Sequence, residues 1–365
     1  MAPKLSSDDL PPVYNSLPVT ELLSAEVPPI QHLQRITSQL AEVNVFLARE
    51  DLASPLAFGG NKLRKLEYVL GRHLANEDRA PATLLLTEGS IQSNHCRQTA
   101  GAAAKLGLKC VLLLAPLAES RGPEYEKAGN VQLDHLLGAE VRVLGSSSER
   151  ASAAEAIKSE MEAKGEVVAW IPAGASKDER GGVGYSRWIF ELLCQQRRMS
   201  DQLGSGGFQH IFVSCSSGST LGGMVAGLKF AEKLGFVPPK TINIHGIDVS
   251  AREVIFQREN VLTIAQRTAT ILGIGSEDPY FPSLEDIEID GRWNAGAYGR
   301  CDTTTSDAIK LMARNEAVFL DPVYTGKGFA GVLGNIKEGS MKGNILFVHT
   351  GGHPALSVYG GIEHD

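Results

Sequence analysis

The sequence predicts an α/β fold in which parallel sheets flanked by helices are divided between two domains. Three observations carry this expectation. Short apolar runs of strand length alternate with helical patterns, in the manner of βαβ units. The runs are apolar on nearly every residue rather than on every second one, as in strands buried on both faces. A chain of 365 residues, at roughly 150 per domain, allows about two domains and a sizeable core. The first set of runs is 83–86, 110–114, 141–144 and 167–171; the second is 210–214, 242–247, 318–320 and 345–349. Residues 1 to about 30, with Pro11, Pro12, Pro18, Pro28 and Pro29, read as an extended leader, packed on the surface or partly mobile. The acidic, aperiodic stretch 275–300 reads as a long loop, and Glu285 to Asp290 within it as a solvated acidic segment.

Composition narrows the function. Lys and Arg number 35 against 42 Asp and Glu, a formal charge of −7, which argues against nucleic acid and anionic membranes as partners. Cys96, Cys110, Cys194, Cys215 and Cys301 form no C-x-x-C pair, so neither a zinc site nor a redox motif is indicated, and a reducing compartment fits. The first residues lack a signal-peptide core, and no apolar run approaches the roughly 18 residues of a membrane span. The expectation is a cytoplasmic protein.

Two helix starts stand where an open sheet binds ligands. Ser93 and Asn94 precede an Ala-rich helix from His95 to Leu106 that stops at Gly107; Gly218-Ser219-Thr220 precede a second, from about Leu221 to Leu234. Free N–H groups there stabilise an anion. The stretch Ser214 to Gly223 has the form of a phosphate cradle, without the Gly-Lys-Ser/Thr ending of a nucleotide loop or a dinucleotide fingerprint. In Phe58-Gly59-Gly60-Asn61-Lys62, the apolar positions Leu63, Leu66, Leu70 and Leu74 put Lys62 at a helix start, where a cation opposes the dipole and a lowered pKa would suit bonding to an aldehyde cofactor. Two further strand ends, 320–327 and 347–356, each close on a polar residue and a glycine. Singly, each stretch also reads plainly: a solvated lysine, an N-cap, an empty turn, a loop.

In their order, Phe58-Gly59-Gly60-Asn61-Lys62-x-Arg64-Lys65-Leu66-Glu67, Gln92-Ser93-Asn94, Gly218-Ser219-Thr220, Asp321-Pro322-Val323-Tyr324-x-Gly326-Lys327 and His349-x-Gly351-Gly352 resemble the 1-aminocyclopropane-1-carboxylate deaminase / D-cysteine desulfhydrase family. The match runs from about residue 30 to the end. The resemblance implies the two-domain fold type II (tryptophan synthase β-like) of pyridoxal phosphate (PLP) enzymes. Its large PLP-binding domain would comprise residues 1–64 and 181–365, its small domain 65–180, and its assembly a homodimer. It implies that Lys62 holds PLP and takes the substrate's α-proton, that Ser93 and Asn94 grip the carboxylate of a small amino-acid substrate, Asn94 also reaching the cofactor ring, and that Gln92 contacts the substrate. Ser217, Gly218, Ser219 and Thr220 would bind the phosphate, and Tyr298 and Tyr324 would stand near the leaving group.

Deaminases of this family carry Glu after the Asp-Pro-Val-Tyr tyrosine and Leu after the last-strand His; this sequence has Thr325 and Thr350, as the desulfhydrase branch does. A neutral hydroxyl beside the pyridine nitrogen makes a weaker electron sink than a carboxylate would, which suffices for a thiolate leaving group. The expectation is therefore α,β-elimination of D-cysteine to pyruvate, sulfide and ammonia, with Thr325 contacting substrate and Thr350 cofactor. The alternatives are deamination of 1-aminocyclopropane-1-carboxylate to 2-oxobutyrate and a non-catalytic metabolite-binding protein. No metal is expected, because Gly351-Gly352 break any helix that would pair His349 with His353. His95 reads as a surface or capping residue, and Cys96 and Cys215 as packing residues.

Overall fold

The computed structural model describes residues 2–3, 10–24, 26–75, 80–117, 122–339 and 341–364. Two parallel sheets organise them. The smaller has the strand order Glu140–Val143, Lys109–Ala115, Leu84–Ser90, Val168–Ile171, parallel throughout. The larger runs Glu288–Asp290, Asn243–Asp248, His210–Cys215, Gly343–Val348, Val43–Ala48, Ile30–His32, and only its last pair is antiparallel. Central strands are dry on both faces: Ile345, Leu346, Phe347 and Val348 are each 0% exposed. Burying each such side chain is worth about 1.5–3 kcal/mol, which is why an unbroken apolar run, not an alternating one, marks these strands.

Helices cover both sheets and set the site's frame. Asn94–Leu106 starts at Ser93, whose Oγ accepts from the Cys96 N–H at 3.1 Å, and stops at Gly107 with φ 69°. Ser219–Lys233 follows Gly218, two residues earlier than its apolar pattern suggests. Asn61–Leu74 lies between the two layers, packing on Asn94–Leu106 on one side and Val183–Arg198 on the other. The expected boundary between residues 64 and 65 therefore falls inside a helix. The buried Arg64 pins that helix, meeting Glu50 at 2.8 and 3.0 Å and Glu191 at 2.8 Å.

Four sequence expectations change. Residues 318–320 form no strand, because both edges of Gly343–Val348 are already taken by His210–Cys215 and Val43–Ala48. Val43–Ala48, absent from the expected set, fills one of those edges. The acidic segment holds an edge strand, Glu288–Asp290, in register with Asn243–Asp248. The described part of the leader is built into the fold. Tyr14 on the short helix Pro12–Ser16 is buried and donates to Ser186 Oγ at 3.1 Å, and the N–H groups of Leu22 and Leu23 both donate to Glu67 Oε1 at 3.0 Å.

Candidate active site

The carboxyl ends of both sheets face one cavity of about 260 Å³. Ser90 and the segment after Ile171, Ala173-Gly174, line it from the small sheet; Ser216 to Gly218, Ser250 and Thr350 line it from the large one. That is the position at which open parallel sheets bind ligands.

Lys62 enters from the start of Asn61–Leu74. Only glycine fits the turn before it: Gly59 has φ 63°, and a Cβ there would sit 2.2 Å from the Asp51 carbonyl oxygen. Burial brings the Lys62 amine down to about 8, with Asp321 pulling it back up and Arg97 pushing it further down. Its Nζ lies 5.4 Å from the centre of the Tyr324 ring. One helical turn on, the buried Lys65 also lines the cavity and donates to Ser219 Oγ at 2.9 Å; burial, and then Lys62, hold it well below the usual lysine value. Sequence reasoning quoted Lys65 without assigning it a role, although its i, i+3 spacing from Lys62 placed both on one face.

The cradle is the turn into Ser219–Lys233. Ser217, Gly218 and Thr220 line the cavity, and Asn61 Nδ2 donates to Thr220 Oγ1 at 2.9 Å, tying the lysine helix to the cradle. Gly218 has φ 91°, and no side chain caps the helix. The Ser219 side chain, expected to bind phosphate, is spent elsewhere: it donates to the Gly174 carbonyl at 2.8 Å and accepts from Lys65. Its contribution to an anion is therefore its backbone N–H at the helix start.

On the small-sheet side Ser93 lines the cavity, its oxygen accepting the cap bond from Cys96 N. Gln92 and Asn94 do not line it. Gln92 Nε2 donates to the carbonyls of Tyr125 and Ala128 at 2.6 and 2.9 Å, and its Oε1 accepts from Asn130 N at 2.9 Å. Asn94 Oδ1 accepts from Asn130 Nδ2 at 2.9 Å. Gln92 is thus tied into the loop on both its oxygen and its nitrogen, whereas of Asn94 it is the oxygen that Asn130, far along the chain, holds.

Three hydroxyls form a chain that starts on the same side: Ser90 Oγ lies 3.1 Å from Tyr298 OH, which lies 2.5 Å from Tyr324 OH. Burial raises both phenols, so both keep their protons. Three protons and two internal links leave one proton to offer elsewhere. Sequence reasoning missed Ser90. It also misjudged His95, which is 4% exposed, lines the cavity, holds Thr87 Oγ1 at 2.9 Å, and is pushed down to about 3 by burial and by Lys62 and Lys65.

Thr325 is the clearest correction. It is 0% exposed; its hydroxyl donates to Asp321 Oδ1 at 2.7 Å and accepts from Asp321 N at 2.8 Å. Asp321 Oδ2 takes the N–H groups of Val323 and Tyr324, so Thr325 closes the turn that aims Tyr324 and does not reach the cavity. Thr350 does line it, while its carbonyl accepts from Asn61 N at 3.1 Å. A loop also brings His349 and His353 to 6.4 Å between ring centres, so helix breaking does not keep them apart. With Asp51 they form the one group among the described residues that sets three potential ligand atoms within 4.8 Å of one another. Arg49 already spans both Asp51 oxygens, at 2.9 and 2.8 Å.

A family model described as pyridoxal-phosphate dependent enzyme matches residues 23–351. A 1-aminocyclopropane-1-carboxylate deaminase of Burkholderia cenocepacia is 36% identical over 340 residues, covering 92% of this chain and 94% of its own. One from Methylobacterium nodulans is 37% identical over 338 residues, covering 91% and 94%. Among solved structures, an ACC deaminase homologue aligns with a TM-score of 0.75 at 31% identity, over 95% of this chain and 98% of that one. An O-ureido-L-serine synthase, at 14% identity and a TM-score of 0.62 over 93% and 94%, shares the fold.

Proposed function

Because the chain belongs to the pyridoxal-phosphate dependent enzymes, we propose that it is a deaminating lyase acting on 1-aminocyclopropane-1-carboxylate, which with water gives 2-oxobutyrate and ammonia. The observation that carries the choice of substrate is the full-length similarity to relatives bearing that activity in their names. Thr325, the first of the two differences that argued for D-cysteine, lies outside the cavity.

The residues fit the cofactor. A lysine amine brought down to about 8 and a glycine-opened helix start, with Lys65 beside it, line one cavity and supply an anchor for an aldehyde and a seat for a phosphate. Lys62 would hold the cofactor through Nζ; Ser217, Gly218, Thr220 and the Ser219 N–H would hold its phosphate. When bound, the cofactor supplies the electron sink for breaking bonds at the substrate's α-carbon. Ser93 orients the carboxylate through its hydroxyl proton. The Tyr298–Tyr324 pair, kept protonated by burial, holds a proton for the departing carbon. Lys62 Nζ, in its neutral form, takes or returns a proton on the substrate skeleton.

A second reading, elimination of D-cysteine to pyruvate, sulfide and ammonia, retains one supporting observation: Thr350 puts a hydroxyl on the cavity wall where the resemblance places Leu in deaminases. Steady-state assays of 2-oxobutyrate from the cyclopropane substrate and of sulfide from D-cysteine decide between them. Turnover of D-cysteine with none of the cyclopropane amino acid overturns the proposal. Purified protein that is colourless, with no visible band for borohydride to bleach, would favour a non-catalytic binding role.

A further inference from the structure

We propose that Gln98 is a positioning residue, an N-cap supplied from the neighbouring helix that fixes the Lys62 backbone against the loop carrying Ser93. The helix Asn61–Leu74 begins at Gly60, which has no side chain with which to cap it. Its first N–H groups are buried, and buried amides left without partners are costly. Apart from a 3.3 Å bond from Leu63 N to the Gly60 carbonyl, they are satisfied from outside the helix. Asn61 N donates to the Thr350 carbonyl at 3.1 Å, while Lys62 N and Leu63 N converge on Gln98 Oε1 at 2.9 and 3.2 Å.

Gln98 sits on Asn94–Leu106 and is 0% exposed. Its Nε2 donates to the Asn94 carbonyl at 3.0 Å, so one amide joins the lysine's own N–H to the first turn of the helix that Ser93 starts. A Cβ on Gly60 would lie 2.7 Å from Gln98 Nε2. The Gly60 turn with φ 113° and the Gln98 amide therefore form one fitted contact: the position that would ordinarily supply the cap is empty so that the cap can come from the neighbouring helix. No other side chain among the described residues accepts from Lys62 N or Leu63 N. The inference rests on Lys62 being the cofactor's anchor.

Two variants test it. Gln98→Leu removes the acceptor, leaving the Lys62 N–H without a partner and the Leu63 N–H with the Gly60 carbonyl at 3.3 Å; Gln98→Glu keeps an acceptor in place and adds negative charge. The groups that face the Lys62 amine, namely Asp321, Arg97, Lys65, His95 and Tyr324, are the same in both. Apo-protein is titrated with PLP, the linked lysine is trapped with borohydride and mapped, and the pH midpoint of Lys62 labelling is measured without cofactor. Gln98→Leu is expected to weaken PLP binding about tenfold or more and move the midpoint down; Gln98→Glu is expected to stay within about threefold of the parent and move it up. Opposite shifts distinguish a cap from mere packing. Binding within twofold of the parent and an unmoved midpoint in Gln98→Leu overturn the proposal. Should Gln98→Leu fail to fold, an unmoved midpoint in Gln98→Glu overturns it and a raised one supports it. Trapping on a different lysine in the parent chain removes the Lys62 reading and this proposal together, whereas trapping on Lys62 with an unaffected Gln98→Leu removes this proposal alone.

Discussion

The helices Asn61–Leu74 and Ser219–Lys233 both begin at a glycine and line the same cavity with residues of their first turns, yet those turns are treated in opposite ways. The first is sealed: the Thr350 carbonyl and the Gln98 amide occupy its opening N–H groups. The second has no side-chain cap, and its start looks into the cavity. The sealed helix carries a lysine, the open one has room for an anion. A site that must hold an amine and a phosphate on one small molecule needs both kinds of start, because an unsealed turn under Lys62 would compete for the same anion.

The largest effect should come from removing the amine on the sealed side. Lys62→Ala is expected to abolish the borohydride-sensitive visible band and lower turnover by about 10³-fold or more; a retained band would break the contrast. The pH dependence sharpens it. The Lys62 amine lies at about 8, below the ordinary lysine value, so its reactive neutral form is lost as pH falls through 8. Cofactor uptake by apo-protein, followed by stopped flow, should level off above that pH and slow by about tenfold per unit below it. A midpoint near 10.5 would mean an ordinary lysine.

On the open side, Gly218→Val should weaken PLP binding by about 10- to 100-fold. It forces a β-branched residue into φ 91° and puts a Cβ 2.6 Å from Asn260 Nδ2. Unchanged affinity by titration would place the phosphate elsewhere. The smallest effect is expected at Thr325→Val, which leaves Asp321 N and Oδ1 each short of a partner. A loss of about 1–3 kcal/mol in denaturant unfolding, with KM within about twofold, fits its place in the Tyr324 turn. A large change in KM with stability intact would return it to the substrate.

Much of this was legible in the sequence for a physical reason. Strands dry on both faces write themselves as apolar runs, and helix starts write themselves as Ser-Asn or Gly-Ser-Thr, so the two layers and both cavity-facing turns were readable. What escaped depends on partners distant in the chain. Val43–Ala48 is a strand because Gly343–Val348 lies beside it, and with His210–Cys215 it leaves no side of that strand for 318–320. Gln92 and Asn94 show the right donors and acceptors, but nothing local discloses that Asn130 takes up both side-chain oxygens. His95 looked like a surface residue because its neighbours, Thr87 on the preceding strand and the Lys62–Lys65 helix face, lie outside its own helix pattern.

The amino-terminal segment has a consequence of its own. Glu67 sits in the interior on the helix that bears Lys62, raised by burial, and the two amides of Leu22 and Leu23 are what soften that burial most. Clipping the chain ahead of residue 24 would strand a carboxylate inside the protein one turn and a half from the reactive amine. Losing those two donors would thus be felt first in the stability of the helix that carries Lys62.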